Sequence, residues 1–492
     1  MAFCWAALLL SVALVAPQAA VPQADDEPLQ LGGLEGPAQV VRDGVGVPHI
    51  YAKSERDAYL LVGYLHAQDR LFEMDSSRRQ ASGTLAELLG PSAIPSDVQL
   101  RTIGLRRAAA RSLEVLSAEA REGLDAYTAG VNAWLDTHPL PSEYAALELT
   151  EVPPWTPLDT MAVAKLLAFG LSFGVEDIDN TRRLLGYQAA GAAQDFDGTK
   201  LFFEDVMRSE PFAHAPSILP GDGTSGPVSA QGEKSFSSSY LDPSVVDLAE
   251  EALKKAKEAK IPVEAADQGG SNAWVVSGSK SESGRPMVAS DPHLSLGSPP
   301  TFYEVGIDVG GKRNDALTLY GVTFPGAPLL VHGTNGHVSW GSTVNPTDVT
   351  DVYQEQLVLE NGVLKSVYQG NTEQLEFINE TYRANQPGNG TPDDLVDVPP
   401  SGSVPPVTIV VPRRNNGPLI SLDLLNHAGL SVQYTGFSAT REPDFFRRLS
   451  RARTVGEAID AQRYFDFGAQ NWMYVDDRGN IGYKTSGEIP LR

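Results

Sequence analysis

Ser271 is the residue whose surroundings most clearly predict chemistry. It follows two glycines in the stretch DQGGSNAWVVSG, and a predicted strand begins directly after it. Gly269 and Gly270 allow backbone conformations that are closed to other residues, so a strained peptide before Ser271 is tolerated. A serine hydroxyl beside such a peptide can attack the preceding carbonyl and form an ester, and water then leaves the serine as a new amino terminus.

A freed α-amino group at Ser271 would have a pKa of about 7.7 to 8.0 and could act as the general base for its own hydroxyl. Such a nucleophile needs no catalytic histidine. The alternative is that Gly-Gly-Ser is simply the end of a flexible linker, which the tripeptide alone does not exclude.

The chain before this serine is predicted to be mostly helical over residues 21–208. The stretch AQVVRDGVGVPHIYAKS predicts two short strands around a turn at Asp43 and Gly44. Helices are predicted for two later stretches. Apolar residues recur at helical spacing in ERDAYLLVGYLHAQDRLFEM, and LDTMAVAKLLAFGLSF is apolar almost throughout.

Residues 209–270 are predicted to be a linker or spacer peptide, because the stretch is rich in proline, glycine and serine and has no period. Within it, DPSVVDLAEEALKKAKEAK predicts a highly charged helix, which we expect to be solvated and to belong to the removed spacer. From residue 271 to 492, short apolar runs separated by glycine, proline and asparagine predict a β-rich portion.

Composition excludes some classes of function. The chain of 492 residues has 42% hydrophobic residues and a formal net charge of -24, which argues against a nucleic-acid surface. Residues 1–20 are apolar, end in small residues and contain the single cysteine, Cys4, which predicts a signal peptide cleaved after Ala19 or Ala20 and a periplasmic or secreted protein. A membrane anchor is the alternative, although the apolar run is short for a span.

Several separate stretches resemble the penicillin acylase family of N-terminal nucleophile hydrolases. VVRDGVGVPHIYAKSERDAYLLVGYLHAQDRLFEMDSSRRQASGTLAELLG is similar to the opening of that family's α-chain, and GGSNAWVVSGSKSESGRPMVASDPHL to the start of its β-chain. FPGAPLLVHGTNGHVSWGSTVNPTDVTDVY and AQNWMYVDDRGNIGY are similar to later blocks. The resemblance implies an α+β fold with a four-layer αββα core, two chains cut from one precursor, and hydrolysis of small acyl amides through an acyl-enzyme.

The resemblance also implies roles for individual residues. Ser271 takes the position of the nucleophile, Asn471 that of a side-chain donor to the oxyanion, and Val344 that of a backbone N–H donor. His293 falls where family members carry glutamine or histidine near the nucleophile's amine. Arg492 matches an arginine beside the active site.

Four further residues match pocket positions of the family. These are Phe173, Leu294, His332 and Ser342. His332 falls near a position that is aromatic in the members that cleave benzylpenicillin, so we expect aliphatic acyl groups. The resemblance leaves open whether the amide is a β-lactam side chain or an N-acyl-homoserine lactone.

The resemblance implies one structural calcium ion that ties the two chains together. Asp348 and Asp351 match the β-chain ligands, and Asp177 is the nearest match to the α-chain carboxylate, with Glu176 as the alternative. Oxygen ligands spaced along a loop suit Ca²⁺.

The sequence ends at Arg492, earlier than a β-chain of this family would. We therefore expect a fragment, a broken reading frame or a two-gene arrangement, and the competing functional hypothesis is a truncated, catalytically inactive secreted protein. Neither a nucleic acid nor a stable membrane association is expected.

Overall fold

The computed structural model of the chain describes residues 30–174, 176–205, 248, 250, 251, 271–294, 297–310 and 317–490. The predicted signal peptide, nearly all of the predicted spacer and Arg492 lie outside this part, as does the side chain of Asp177.

Helices dominate the described chain before Ser271. They are α1 (Glu55–Ser82), α2 (Ala86–Leu89), α3 (Ile94–Ile103), α4 (Leu105–Val115), α5 (Ala118–Leu135), α6 (Ser142–Ala146), α7 (Pro157–Ser172), α8 (Glu176–Gln194) and α9 (Gly198–Asp205). Two more follow later in the chain, α10 (Glu442–Leu449) and α11 (Val455–Ala461).

Strands dominate the described chain after Ser271, and two short strands precede α1. They are β1 (Gln39–Arg42), β2 (Pro48–Ala52), β3 (Ser271–Val276), β4 (Met287–Pro292), β5 (Tyr303–Val309), β6 (Leu317–Phe324), β7 (Ala327–Thr334), β8 (Val338–Val344), β9 (Thr350–Glu360), β10 (Val363–Tyr368), β11 (Asn371–Gln374), β12 (Glu376–Asn379), β13 (Tyr382–Asn385), β14 (Leu395–Val398), β15 (Val407–Val411), β16 (Gly417–Asp423), β17 (Ala428–Tyr434), β18 (Gln470–Asp476) and β19 (Ile481–Ser486).

The strands form two large sheets and two hairpins. The first sheet has the order β1-β2-β5-β6-β7-β8-β18-β19, with β2 parallel to β5 and the other neighbours antiparallel. The second has the order β11-β10-β9-β17-β16-β15-β12, while β3 pairs with β4 and β13 with β14. The predicted turn at Asp43 is confirmed, and its carboxylate accepts hydrogen bonds from the N–H groups of Val45 and Val47.

The first sheet has helices on one face and the β3–β4 hairpin on the other. A Cβ at Gly482 would lie 2.4 Å from Val455 in α11, whereas a Cβ at Gly341 would lie 2.6 Å from Ser290 in β4. Gly482 pairs with Tyr474 and Gly341 with Met473, and neighbouring residues of a strand point to opposite faces. The hairpin and α11 therefore lie on opposite sides of β18.

Helices α1 and α5 approach closely because glycine stands at their crossing. A Cβ at Gly63 would lie 2.1 Å from the carbonyl oxygen of Tyr127, and one at Gly130 would lie 1.8 Å from that of Leu60. No real side chain tolerates such distances. This crossing brings buried His66 of α1 within hydrogen-bond distance of the Tyr127 hydroxyl, at 2.9 Å, and of Thr323 Oγ1 in β6, at 3.0 Å.

Part of the predicted solvated helix instead contacts the second sheet. Leu248 is 3% exposed and packs with Ile178 of α8 and with Ala428 and Leu430 of β17. Glu251 accepts a hydrogen bond from Ser421 at 3.0 Å. The expectation of solvation is therefore wrong for Leu248, because its side chain faces apolar strand residues.

The described part agrees with the α+β class, since helices and sheets occupy largely separate stretches of chain. Around the first sheet, helices lie on one face and the β3–β4 hairpin lies on the other, and the four-layer arrangement stays a prediction. Among the described residues, no helix is both long enough and apolar enough to cross a membrane.

Candidate active site

Ser271 is the first residue of β3 and lies at the wall of a cavity. Strand β3 packs against β8, β18 and β19, and Ser271 lines the cavity together with Val344 at the end of β8. The empty space is about 960 Å³ with its open mouth included. A nucleophile at this position would face a concave, mostly apolar cavity, which is the kind of site that binds small organic groups.

The cavity wall is predominantly apolar. Helix α7 contributes one side, β7 and β8 a second, and the segment around β18 a third. Its aromatic members are Phe302, Phe324, Phe446, Phe465, Phe467 and Trp472. Trp472 is 1% exposed and its ring lies 5.5 Å from that of Phe465 in an edge-to-face arrangement, which favours a fixed wall.

Asn471 and Val344 lie side by side at the end of two paired strands. The Asn471 Nδ2 donates to the Val344 carbonyl oxygen and to Thr343 Oγ1, both at 3.1 Å. The Tyr483 hydroxyl donates to Asn471 Oδ1 at 2.9 Å, which fixes the orientation of the amide. The structure thus brings Asn471 and Val344 together through the Val344 carbonyl, with both amide hydrogens of Asn471 engaged within the sheet.

Three of the four predicted pocket residues line the cavity. These are Leu294, His332 and Ser342. Phe173 follows α7 but packs elsewhere, with its ring 4.3 Å from Phe169 and 5.3 Å from Tyr434. It belongs to the core between α7 and the second sheet, where it packs against Phe169 of α7 and Tyr434 of β17.

His332 and Ser342 form a polar pair within this apolar wall. Their Nε2 and Oγ atoms lie 3.1 Å apart, between β7 and β8. Burial lowers the pKa of His332 to about 4, because the charged imidazolium is poorly solvated there. His332 is therefore neutral at pH 7 and offers hydrogen-bonding capacity without charge.

Lys165 and Glu442 add a buried pair of ionisable groups to the wall. The Lys165 Nζ donates to Gly436 O at 2.9 Å, Ser438 O at 3.2 Å and Thr440 Oγ1 at 2.7 Å. Burial lowers the pKa of the Lys165 amine to about 8 and raises the pKa of the Glu442 carboxyl. The three hydrogen bonds from Lys165 fix the segment 436–440 to α7.

Sequence reasoning missed Lys165 and Glu442. The signal for Lys165 was a single cation inside the otherwise apolar stretch LDTMAVAKLLAFGLSF, since a lone lysine on an apolar helix needs buried acceptors. No local signal marked Glu442, whose Oε1 accepts hydrogen bonds from the N–H groups of Asp466 and Phe467.

His293 does not line the cavity. Its Nε2 lies 2.9 Å from Asp291 Oδ2, and the two side chains are 44% and 61% exposed. Strand β4 ends at Pro292, which pairs with Ser271, so His293 is near the nucleophile along the chain but faces the carboxylate of Asp291. Arg492 lies outside the described residues.

The predicted calcium ligands Asp348 and Asp351 flank the start of β9. Asp351 is 9% exposed, and Asp348 Oδ1 accepts from the N–H of Thr350 at 3.3 Å. The N–H of Gly174 lies 3.5 Å from Thr350 Oγ1, which brings the end of α7 to this loop. Among the described side chains, no group of three acids, histidines or cysteines could hold a metal.

Known proteins are similar to this chain over most of its length. The chain is 33% identical to penicillin acylase 2 proenzyme of Pseudomonas sp. (strain SE83), over 96% of this chain and 55% of that protein. It is 28% identical to acyl-homoserine lactone acylase QuiP of Pseudomonas aeruginosa, over 94% of this chain and 50% of that protein. The chain spans about half the length of the curated relatives it matches.

A solved structure of the thermostable penicillin G acylase from Alcaligenes faecalis, in a tetragonal form, is also similar. It is 30% identical, covers 38% of this chain and 97% of that chain, and has a TM-score of 0.34. The penicillin amidase family model matches residues 37–492. Because this match includes the helical portion, Ser271 and the strands around the cavity, the chain belongs to the penicillin amidase family.

Proposed function

We propose that this chain forms the catalytic centre of an amide-hydrolysing acylase, with Ser271 as the nucleophile. The observation that carries the proposal is that Ser271, at the start of β3, lines an apolar cavity together with Val344. Relatives named as acylases support the reaction class.

The first step of the proposal is cleavage before Ser271. The Ser271 hydroxyl attacks the carbonyl carbon of Gly270, the C–N bond between the two residues breaks, and an ester to the hydroxyl oxygen forms. Water then opens this ester, which leaves a carboxylate on Gly270 and an α-amino group on Ser271. The relative named a proenzyme supports such processing, and the products are an α-chain and a β-chain from one precursor.

In the proposed catalytic step, the Ser271 amine takes the proton from its own hydroxyl as the oxygen attacks the substrate acyl carbon. The oxyanion then accepts hydrogen bonds from the Val344 N–H and from Asn471 Nδ2. Since both amide hydrogens of Asn471 are engaged at 3.1 Å, one of these bonds has to open for the oxyanion. The proton passes to the leaving amine, and water hydrolyses the acyl-enzyme.

The cavity favours an apolar acyl group. Leu294, Val331 and Leu329 line it beside the aromatic residues, and burial of each CH₂ of an acyl chain contributes about 0.8 kcal/mol. Acyl groups of the kinds carried by β-lactam side chains and N-acyl-homoserine lactones both fit this chemistry. We further propose the four-layer αββα core and export to the periplasm or the medium.

We also propose a structural calcium ion at Asp348 and Asp351. Their carboxylates suit a hard cation, and the loop that bears them contacts the segment leading to Asp177. The ion would join the portions before and after Ser271. Treatment with EGTA should lower the thermal unfolding midpoint of the wild type, and added Ca²⁺ should restore it. An Asp351→Asn variant that responds to EGTA as the wild type does would contradict this assignment.

The proposed nucleophile is tested by intact-mass analysis and amino-terminal sequencing of the purified protein beside Ser271→Ala and Ser277→Ala variants. We expect wild type and Ser277→Ala to be cut before Ser271 and Ser271→Ala to remain whole. Release of amine from a panel of acyl amides then measures hydrolysis. A folded wild-type chain that stays uncut would refute the active-enzyme proposal and favour the inactive one.

A further inference from the structure

A second cleft lies where the end of α1, the junction of α3 and α4 and the start of α7 meet β12 and β13. Its empty space is about 1510 Å³ with the open mouth included. The guanidinium groups that line it belong to Arg78, Arg79, Arg101, Arg106, Arg107 and Arg383, and the carboxylates to Glu87, Asp159 and Glu380. It is separate from the Ser271 cavity, since the two share no lining residue.

The cleft carries more positive than negative charge. The six arginines and three carboxylates of the lining leave an excess of three positive charges. Asp75 lies fully buried behind the lining and pairs with Arg78 and Arg79, which reduces this excess to two. Arg111 and Glu376 also act on Arg107, with opposite effects on its pKa. A local positive excess in a chain of net charge -24 is a concentrated anion-attracting feature.

Two adjacent arginines of α4 retain donors that face no protein acceptor in the described part of the chain. Arg106 donates through Nη1 to Asp159 Oδ1 at 2.7 Å and to Ser82 Oγ at 3.1 Å, which leaves Nε and Nη2. Arg107 donates through Nη1 and Nη2 to the carbonyls of Arg101 and Thr102, and its Nη1 also lies 3.7 Å from Glu380 Oε1, which leaves Nε. These bonds to protein groups fix both guanidinium planes at the cleft.

We propose that this arginine-lined cleft binds an oxyanion of the phosphate or sulfate class. Guanidinium groups held in fixed orientation match the oxygens of such anions with directed, charge-assisted hydrogen bonds. The cleft is far larger than a phosphate ion, so it also has room for a phosphate group carried on a larger molecule. The alternative is that the arginines serve only to hold α1, α4 and α7 together through their ion pairs.

The test is isothermal titration calorimetry of the full chain with inorganic phosphate at pH 8, in low chloride. A parallel titration with glucose 6-phosphate distinguishes a free anion from a phosphate on a larger molecule, because additional contacts would make the sugar phosphate bind more tightly. We expect saturable binding that weakens with added salt. Absence of saturable binding of both ligands would overturn the proposal.

Arg106→Gln and Arg383→Gln variants locate the site. Glutamine at 106 keeps an amide donor for Asp159, and Arg383 has a side chain that is 50% exposed, so either variant should fold as judged by its thermal unfolding. We expect phosphate binding to weaken about 10- to 100-fold in Arg106→Gln, the loss typical of a charged hydrogen bond. Arg463→Gln, which removes an exposed charge outside the cleft, is the matched control.

Two further outcomes would also refute the cleft as the site. Phosphate binding that is unchanged in both Arg106→Gln and Arg383→Gln would place the anion elsewhere. An equal loss in Arg463→Gln would show a general effect of net charge. In either case the arginines would be structural only.

Discussion

Replacing Lys165 with methionine removes a buried charge from the cavity wall while keeping a long unbranched side chain. The three bonds from Nζ to Gly436 O, Ser438 O and Thr440 Oγ1 are lost. Each buried acceptor left without a donor costs about 1 to 3 kcal/mol. Because three such acceptors lose their donor, we expect the free energy of unfolding to fall by at least about 3 kcal/mol.

A double-mutant cycle with Glu442→Gln isolates the contribution of the pair. Glutamine keeps an oxygen that can accept from the N–H groups of Asp466 and Phe467, which now donate to Glu442 Oε1. Each single variant leaves the other ionisable group buried without the charge that offsets it. The free energy of unfolding of the double variant should therefore fall by about 1 to 3 kcal/mol less than the sum of the two single losses.

The assay is urea unfolding at pH 7 followed by tryptophan fluorescence, to which Trp472 in the cavity wall contributes. Lys365→Met is the control, since Lys365 pairs with Glu360 at the surface and such pairs are worth about 0 to 1 kcal/mol. The reasoning fails if Lys165→Met costs less than about 1 kcal/mol, or if the two single changes add within about 0.5 kcal/mol.

Three other predictions follow from buried groups and close contacts. Burial lowers the pKa of His66 to about 3, so below about pH 6.5 the unfolded chain binds a proton that the folded chain does not. Stability should therefore fall by up to about 1.4 kcal/mol per pH unit between pH 6.5 and 3, with a shallower slope of the urea midpoint in His66→Gln. Gly130→Ala should cost about 1 to 3 kcal/mol because its Cβ would lie 1.8 Å from Leu60 O, whereas Gly44→Ala, with open space around it, should not lower the thermal midpoint. Asn471→Ala should fold and lower the rate of amine release about 100- to 1000-fold; unchanged turnover would remove it from the oxyanion site.

Local sequence patterns predicted the helices and strands themselves better than they predicted which of them pair or pack together. Helical spacing in the stretch around Leu60 and Leu61 predicted α1, and alternation with turn residues predicted β1 and β2. The parallel pairing of β2 with β5 was not predicted, because it joins residues such as Ile50 and Ile307 that are more than 250 positions apart. The close crossing of α1 and α5 at Gly63 and Gly130 was not predicted either, because it also joins residues that are far apart in the sequence.

The candidate site divides in the same way. The two glycines before Ser271 allow a strained peptide bond there, and this local feature identified Ser271 directly from the sequence. Lys165 lies in a helix whose apolar residues run all round, and a periodic pattern does not show where a single cation finds acceptors. Those acceptors lie in the segment 436–440, and only the folded chain brings this segment to α7.

These long-range contacts also determine what cleavage before Ser271 would do. The β2–β5 ladder, the bond from Lys165 to Gly436 and the bond between His66 and Thr323 all join residues on opposite sides of the proposed cut. Because buried hydrogen bonds and apolar packing do not weaken with salt as surface ion pairs do, the two products should co-elute in gel filtration at 1 M NaCl. Denaturant should separate them without any reductant, since Cys4 is the single cysteine and no disulfide can join the two products. Separate elution of two folded chains without denaturant would contradict this account of the interface.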